Sequence, residues 1–115
     1  MQPRSPSRFA TPRIEELIAR RDLSAVFQPI IDFHDGAILG YEGLIRGPAG
    51  TSLEAPFALF SQALAEGCTL DLEQVAARTC IDAFARLDFD GKLFLNFSAG
   101  AIRQLAEAQI GRAHV

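Results

Sequence analysis

The sequence predicts one α/β domain with elements in the order α-β-β-α-α-β-α. Short runs rich in Val, Ile and Phe, typical of strands, alternate with longer segments whose apolar residues recur at helical spacing. Turn signals containing Gly, Pro or Asp-Gly separate these segments. The length of 115 residues leaves room for one domain at most, with a modest core.

The bulk composition is typical of a soluble globular protein, with 49% hydrophobic residues, 22% charged residues and a net charge of −3. This charge gives no general reason to expect a nucleic-acid polymer as a partner. No stretch has the apolar length of a membrane span, and the first residues lack the apolar region of a secretory signal, so we expect a cytoplasmic protein. Cys68 and Cys80 lack CxxC spacing and are expected to be buried, reduced thiols.

The chain begins with a segment that we expect to be disordered. Residues 1–12 form a basic arm rich in Pro and Ser. Thr11 as N-cap and Pro12 at the first helical position favour a short helix that runs to about Arg21.

Two strands are predicted next, at residues 25–33 and 38–46, joined by a turn at 34–36 that contains Asp-Gly. They should pair as an antiparallel hairpin. Pro29 cannot donate a hydrogen bond to a ladder, so the first strand should lie at a sheet edge or carry a bulge.

A pair of helices follows. Pro56 opens the first, Gly67 ends it, and Asp71 with Gln74 resembles a capping box that opens the second. The apolar face predicted for the first helix consists of Phe57, Phe60 and Leu64. A third strand is predicted at residues 92–97, after which Ser98 caps a last helix that runs through Leu105.

Four polar residues are embedded in the apolar strands, namely Gln28, Glu42, Arg46 and Asn96. Because side chains alternate along a strand, Glu42, Leu44 and Arg46 should share one face. A charged group buried there without a partner would cost several kcal/mol.

Two interpretations of these polar residues are open. In the structural one, Glu42 and Arg46 form an ion pair, Asn96 bonds to backbone, and Gln28 fills the gap left by Pro29. In the functional one, Glu42 and Asn96 offer oxygens to a hard cation, while Arg46 and Gln28 meet an anionic ligand. Spacing alone favours the structural interpretation, because ion pairs outnumber sites.

The motifs resemble those of a known family. Residues 40–48 (GYEGLIRGP) resemble the signature that names the EAL domain family, in which Glu-Ala-Leu is followed two residues later by Arg. Residues 27–32 (FQPIID) resemble the opening strand of that family, residues 56–60 (PFALF) the helix after the signature, and residues 95–98 (LNFS) the strand that contains Asn. The likeness makes residues 13–109 the N-terminal part of an EAL domain.

The resemblance implies a TIM-like (β/α) barrel, here an incomplete fragment of about three strands whose first strand is antiparallel to the others. It implies hydrolysis of cyclic di-GMP to pGpG, assisted by Mg²⁺ or Mn²⁺, in bacterial signalling. The metal ligands implied are Glu42 and Asn96, and the residues implied to contact the substrate are Gln28, Leu44 and Arg46. Gly43 stands where the family has Ala. A side chain at this position should point away from the ligand.

The family also offers an alternative function, since some EAL domains are non-catalytic cyclic di-GMP receptors or scaffolds. A homodimer is plausible for the family. The arrangement resembles proteins in which the EAL domain comes first and CBS and GGDEF domains follow.

The family's further acidic ligands and catalytic lysine have no counterpart in this sequence, so no catalytic residue is assigned and the chain alone is expected to be inactive. Residues 110–115 depart from the family pattern and resemble a translated sequencing adapter. We interpret them as a non-native read-through tail.

Overall fold

A computed structural model describes residues 12–103 and 106–107, and these form a mixed α/β structure. The elements are α1 Ile14–Arg20, β1 Ser24–Ile31, β2 Ile38–Arg46, α2 Pro56–Glu66, α3 Thr69–Leu87 and β3 Lys92–Phe94, followed by helical residues 99–103. The predicted order of elements is confirmed. Apart from Pro12, the predicted arm and the predicted tail at 110–115 lie outside the described residues.

The three strands form one sheet in the order β1-β2-β3. β1 pairs antiparallel with β2, and β2 pairs parallel with β3. The predicted hairpin is therefore confirmed. β1 lies at the sheet edge and its register shifts between Ile30 and Ile31, one residue after Pro29, as the missing amide donor of proline led us to expect.

The hairpin turn explains why β1 ends earlier than the predicted Phe33. The Asp32 carboxylate accepts a hydrogen bond from the His34 amide at 2.8 Å, and the Asp35 carboxylate accepts one from the Ala37 amide at 2.9 Å. These local bonds compete with the ladder and start the turn at Asp32. Gly36 completes it with a φ of +73°, a conformation that glycine adopts without strain.

The start of α1 differs from the prediction. Its N-cap is Arg13, which makes no side-chain cap bond, and Thr11 lies outside the described residues. The Ile14 amide instead donates to both carboxylate oxygens of Glu66, at 3.1 and 3.2 Å. A carboxylate from α2 thus satisfies one of the amides that a helix start leaves unpaired, and it favours the positive end of the helix dipole.

The apolar face predicted for α2 is wrong for Phe57 and Leu64, whereas Phe60 packs partly buried against the core, as predicted. Leu59 and Ala63 are buried, whereas Phe57 and Leu64 are 86% and 74% exposed. Since eight of the eleven residues of α2 are apolar, periodicity could not select the buried face. Gly67 ends the helix in the left-handed conformation, as predicted.

The predicted capping box of α3 is also wrong. The helix starts at Thr69, with Cys68 as N-cap and no side-chain cap bond, so Asp71 lies within the first turn. There a negative charge stabilises the helix through its dipole. β3 is shorter than predicted, because its ladder ends at Phe94.

All three helices contribute to one core, which lies on one face of the sheet. α3 packs on β1 and β2, and α2 packs on β2. The buried cluster consists of Ile14, Leu17, Ile45, Leu53, Leu59, Ala63, Cys68, Leu72 and Ala76. We call the sheet face against the helices the covered face and the opposite one the open face. Among the described helices, none combines the length and apolarity needed to cross a membrane.

Candidate functional site

The register of the hairpin assigns the strand residues to the two faces. Gln28 lies opposite Glu42, and Val26 lies opposite Leu44. Residues directly opposite one another in an antiparallel pair share a face, with their Cβ atoms about 5 Å apart. Ile45 belongs to the buried core, so the covered face takes the odd-numbered residues of β2. Gln28, Glu42 and Leu44 therefore share the open face.

Glu42 lies on the central strand, between two neighbours on the open face. Gln28 of β1 is opposite on one side, and Phe94 of β3 is the register partner on the other. The ring of Phe94 extends over Gly40, where a Cβ atom would lie 2.6 Å from it. The half-buried Glu42 thus has an amide on one flank and an aromatic ring on the other.

Within the described part of the chain, the Glu42 carboxylate has no hydrogen-bond or ion-pair partner. The ion pair with Arg46 that the structural interpretation requires is not formed among these residues. Every buried side-chain oxygen among the described residues has a hydrogen-bond partner. The Glu42 oxygens have none among these residues, so they are not buried and reach solvent. An unpartnered carboxylate on a largely apolar strand can accept a ligand without first breaking an internal bond.

Arg46 ends β2, opposite Ser24, and is half-buried. Its Nη1 donates to the Ile45 carbonyl oxygen at 3.1 Å. A guanidinium carries five N–H donors in a planar fork, so most of its donor capacity stays available for an anion.

Asn96 lies just beyond the ladder, which ends at Phe94. From Leu93 to Ser98 the exposure of the side chains still alternates, and Phe94, Asn96 and Ser98 are the exposed members. Ser98 has the same phase but bonds to Glu73 of α3 on the covered side, so alternation beyond the ladder does not assign Asn96 to a face. The structure therefore brings together Gln28, Glu42, Leu44 and Arg46 on the open face, and Asn96 lies on the segment that follows β3.

Gly43 faces the helices. A Cβ atom at this position would lie 3.0 Å from Cys80 Sγ and 3.1 Å from Cys80 Cβ, so the α3 thiol occupies the space that an alanine methyl group would need. A side chain at position 43 would therefore point away from the open face, as expected. A cavity of ≈110 Å³ lies beside it between β2, α2, α3 and the segment after β3, and Leu44 and Asn96 contribute to its lining.

Sequence analysis missed Glu73, a buried carboxylate on α3. It accepts hydrogen bonds from the Ser98 amide at 2.9 Å and from the Ser98 hydroxyl at 2.8 Å. Glu73 precedes Ala76 by three residues and Cys80 by seven, so it lies on the buried stripe of α3. An acid on an otherwise apolar stripe is the signal that could have identified it.

The donor set fits part of a site for a hard divalent cation. Carboxylate and amide oxygens are the ligands that Mg²⁺ and Mn²⁺ prefer, but such ions take about six of them. Among the described residues there is no group of three or more His, Cys, Asp or Glu side chains that could hold a metal ion. Glu42 and Asn96 can supply only part of a coordination shell.

Comparison with family models, with curated proteins and with solved structures finds no match to this chain. The likeness to the EAL family therefore depends on the motifs quoted above. The structure adds the common face of Gln28, Glu42 and Arg46 and the unpartnered state of Glu42 within the described chain.

Proposed function

We propose that this chain is the N-terminal part of a metal-dependent phosphodiesterase that hydrolyses cyclic di-GMP to pGpG. The observation that carries the proposal is the Glu42 carboxylate, which is half-buried on the central strand and has no protein partner among the described residues. A carboxylate that reaches solvent and has no internal partner is free to bind a hard cation.

The neighbours of Glu42 suit a cyclic dinucleotide. Arg46 offers a charged planar fork to a phosphate, and fork-to-phosphate hydrogen bonds are stronger than bonds between neutral groups. Gln28 offers an amide to polar groups of the ligand. Leu44, which lies between Glu42 and Arg46 on the same face, offers apolar contact. Glu42 and Asn96 would hold Mg²⁺ or Mn²⁺. The cation would lower the pKa of bound water and stabilise charge on the phosphate oxygens.

The open face supports the finer proposal that the sheet belongs to a (β/α) barrel. Val26 and Phe94 are 46% and 42% exposed there, and Leu44 lies between them. Strands that are apolar on both faces are typical of sheets covered on both sides. In a closed barrel these side chains would form the packed interior, and further strands would bring the missing metal ligands.

The test uses the intact parent protein with Mg²⁺ or Mn²⁺ and measures the release of pGpG from cyclic di-GMP. Glu42→Ala should lower kcat by about 10³-fold or more, since a metal supplies several kcal/mol of transition-state stabilisation. Glu16→Ala, which removes an exposed carboxylate from α1, is the matched control and should leave turnover unchanged.

Full turnover by Glu42→Ala at saturating Mg²⁺ would rule out the ligand role. A wild-type protein that binds cyclic di-GMP but releases no pGpG would replace the enzyme with a receptor. The 115-residue chain alone should release none, because its described residues supply an incomplete coordination shell.

A further inference from the structure

The segment that carries Asn96 is held at its two ends but not along its length. At one end, the β2–β3 ladder stops at Phe94, the register partner of Glu42. At the other end, Ser98 is bound to α3 through Glu73. Residues 95–97 lie between these points outside the ladder, so the sheet alone does not fix the direction of the Asn96 side chain.

The contact between Glu73 and Ser98 forms a continuous chain of hydrogen bonds. The Ser98 amide and hydroxyl both donate to Glu73, one to each carboxylate oxygen. The Ser98 hydroxyl oxygen also accepts a bond from the Ala101 amide at 3.1 Å, which caps the last helical segment. Glu73 is only 8% exposed. Bonds to an ionised acceptor in such surroundings are stronger than neutral ones, so one carboxylate fixes both the strand end and the next helix start.

We propose that Glu73 is a positioning residue that fixes the segment carrying Asn96, the second implied metal ligand, and that it acts on the metal site without touching the metal. This inference rests on the proposed function, because it assigns Glu73 to the support of the same site. Groups that orient metal ligands contribute about 10- to 100-fold to metal affinity. Loss of Glu73 should therefore raise the Mg²⁺ concentration for half-maximal turnover of the parent protein by about that factor.

The sequence offers a direct readout of this position, because Asn96 is its single asparagine. Labelling the chain with ¹⁵N-asparagine gives one side-chain amide group in the NMR spectrum, which reports Asn96 alone. Glu73→Ala should shift its signals towards those of the unfolded chain and broaden them. Ser98→Ala, which keeps one of the two bonds to Glu73, should produce a smaller shift.

Two further variants separate positioning from a general loss of stability. Val75→Ala shortens a half-buried side chain on the same helix and should leave the Asn96 signals in place. Glu73→Gln keeps the shape and one acceptor oxygen, so it tests the bonds even if Glu73→Ala does not fold. Unchanged Asn96 signals in folded Glu73→Gln and folded Ser98→Ala would overturn the proposal.

Addition of Mn²⁺ separates this inference from the function on which it rests. Substoichiometric Mn²⁺ should broaden the Asn96 amide signals of the wild-type chain, and Glu42→Ala should reduce that broadening. If the Asn96 signals change in the Glu73 variants but do not respond to Mn²⁺, the metal site is contradicted and the positioning contact stands. If Mn²⁺ broadens the Asn96 signals equally in the wild type and in Glu73→Ala, the positioning role is contradicted and the metal site stands.

Discussion

The two faces of the sheet differ in what their side chains contact. On the covered face, Phe27 and Tyr41 contact the ring of Phe84, with centroids 5.6 and 6.1 Å away, and Gly43 lies against Cys80. On the open face, no helix of the described chain covers the apolar side chains, and Gln28, Glu42 and Arg46 lie there. The same strands thus contribute to a packed core on the covered face. On the open face they present an uncovered apolar surface that contains the Glu42 carboxylate.

This difference teaches why function and stability occupy different sides of the sheet. Groups on the covered face are fixed by close packing, so a substitution there acts first on folding. Groups on the open face keep access to solvent and ligand, so a substitution there should act first on binding. The predictions below test that division, beginning with the largest effect on stability.

Neighbouring residues of β2 provide the most direct comparison. Ile45 on the covered face is 5% exposed, and Ile45→Ala should lower the free energy of unfolding by about 3 kcal/mol, because it leaves a cavity in the core. Leu44→Ala on the open face should cost about 1 kcal/mol or less, since part of that side chain is already in water. Urea denaturation measures both. Equal losses would contradict the division of the sheet.

The contact between Gly43 and Cys80 gives a second test, by overpacking. Gly43→Ala should cost about 1–3 kcal/mol, because the new methyl group would meet the thiol at 3.0 Å. Cys80→Ala makes room for it, so the double variant should be more stable than the sum of the single effects predicts, by about 1 kcal/mol. Strictly additive effects in a double-mutant cycle would show that the two positions do not meet.

Val26 tests whether the open face is covered in the parent protein. Val26→Thr keeps the shape and adds a hydroxyl group. In the isolated chain this residue is 46% exposed and the change should alter stability by less than about 0.5 kcal/mol. In the parent protein, a closed barrel would bury the hydroxyl group and raise the cost to about 1–3 kcal/mol. Thermal or urea unfolding of both proteins makes the comparison, and the same small effect in each would argue against the barrel.

The smallest expected effect concerns Glu66, which joins α2 to α1. Its hydrogen bonds, first from Gln62 and then from the Ile14 amide, hold its pKa below the ordinary value of a glutamate. The contribution to stability is therefore present above that ordinary value and is lost as the pH falls through the lowered pKa. Glu66→Gln should have a slightly lower Tm than the wild type at neutral pH, and the gap should close in acid. A gap that is constant with pH would contradict a role for the ionised carboxylate.

Local chemistry predicted the strands well. The Ile- and Leu-containing run of β2 has the predicted bounds, and Pro29 marked the edge strand because a missing amide donor has the same consequence in any fold. The Ser98 cap was also predicted, since the cap bond to Ala101 spans only three residues. The alternation of side chains predicted the common face of Glu42, Leu44 and Arg46, and the register of the hairpin adds Gln28 to it.

The predictions were wrong where residues distant in sequence determine the local structure. Both Glu66 at the start of α1 and Glu73 at Ser98 bind partners far away in sequence, so no local pattern identifies the residues that they bind. The buried face of α2 depends on which side α1 and α3 occupy, because most residues of the helix are apolar. Short-range signals thus predicted the elements and the candidate ligands, but not the carboxylates that hold the elements together.

The buried thiols have a practical consequence. Neither Cys68 nor Cys80 is in a disulfide, and burial raises the pKa of both, so little of either is in the reactive thiolate form. An alkylating reagent should reach them only when α3 moves away from its neighbours. The rate of thiol labelling therefore reports how often the helical layer opens, and it does so without any engineered probe.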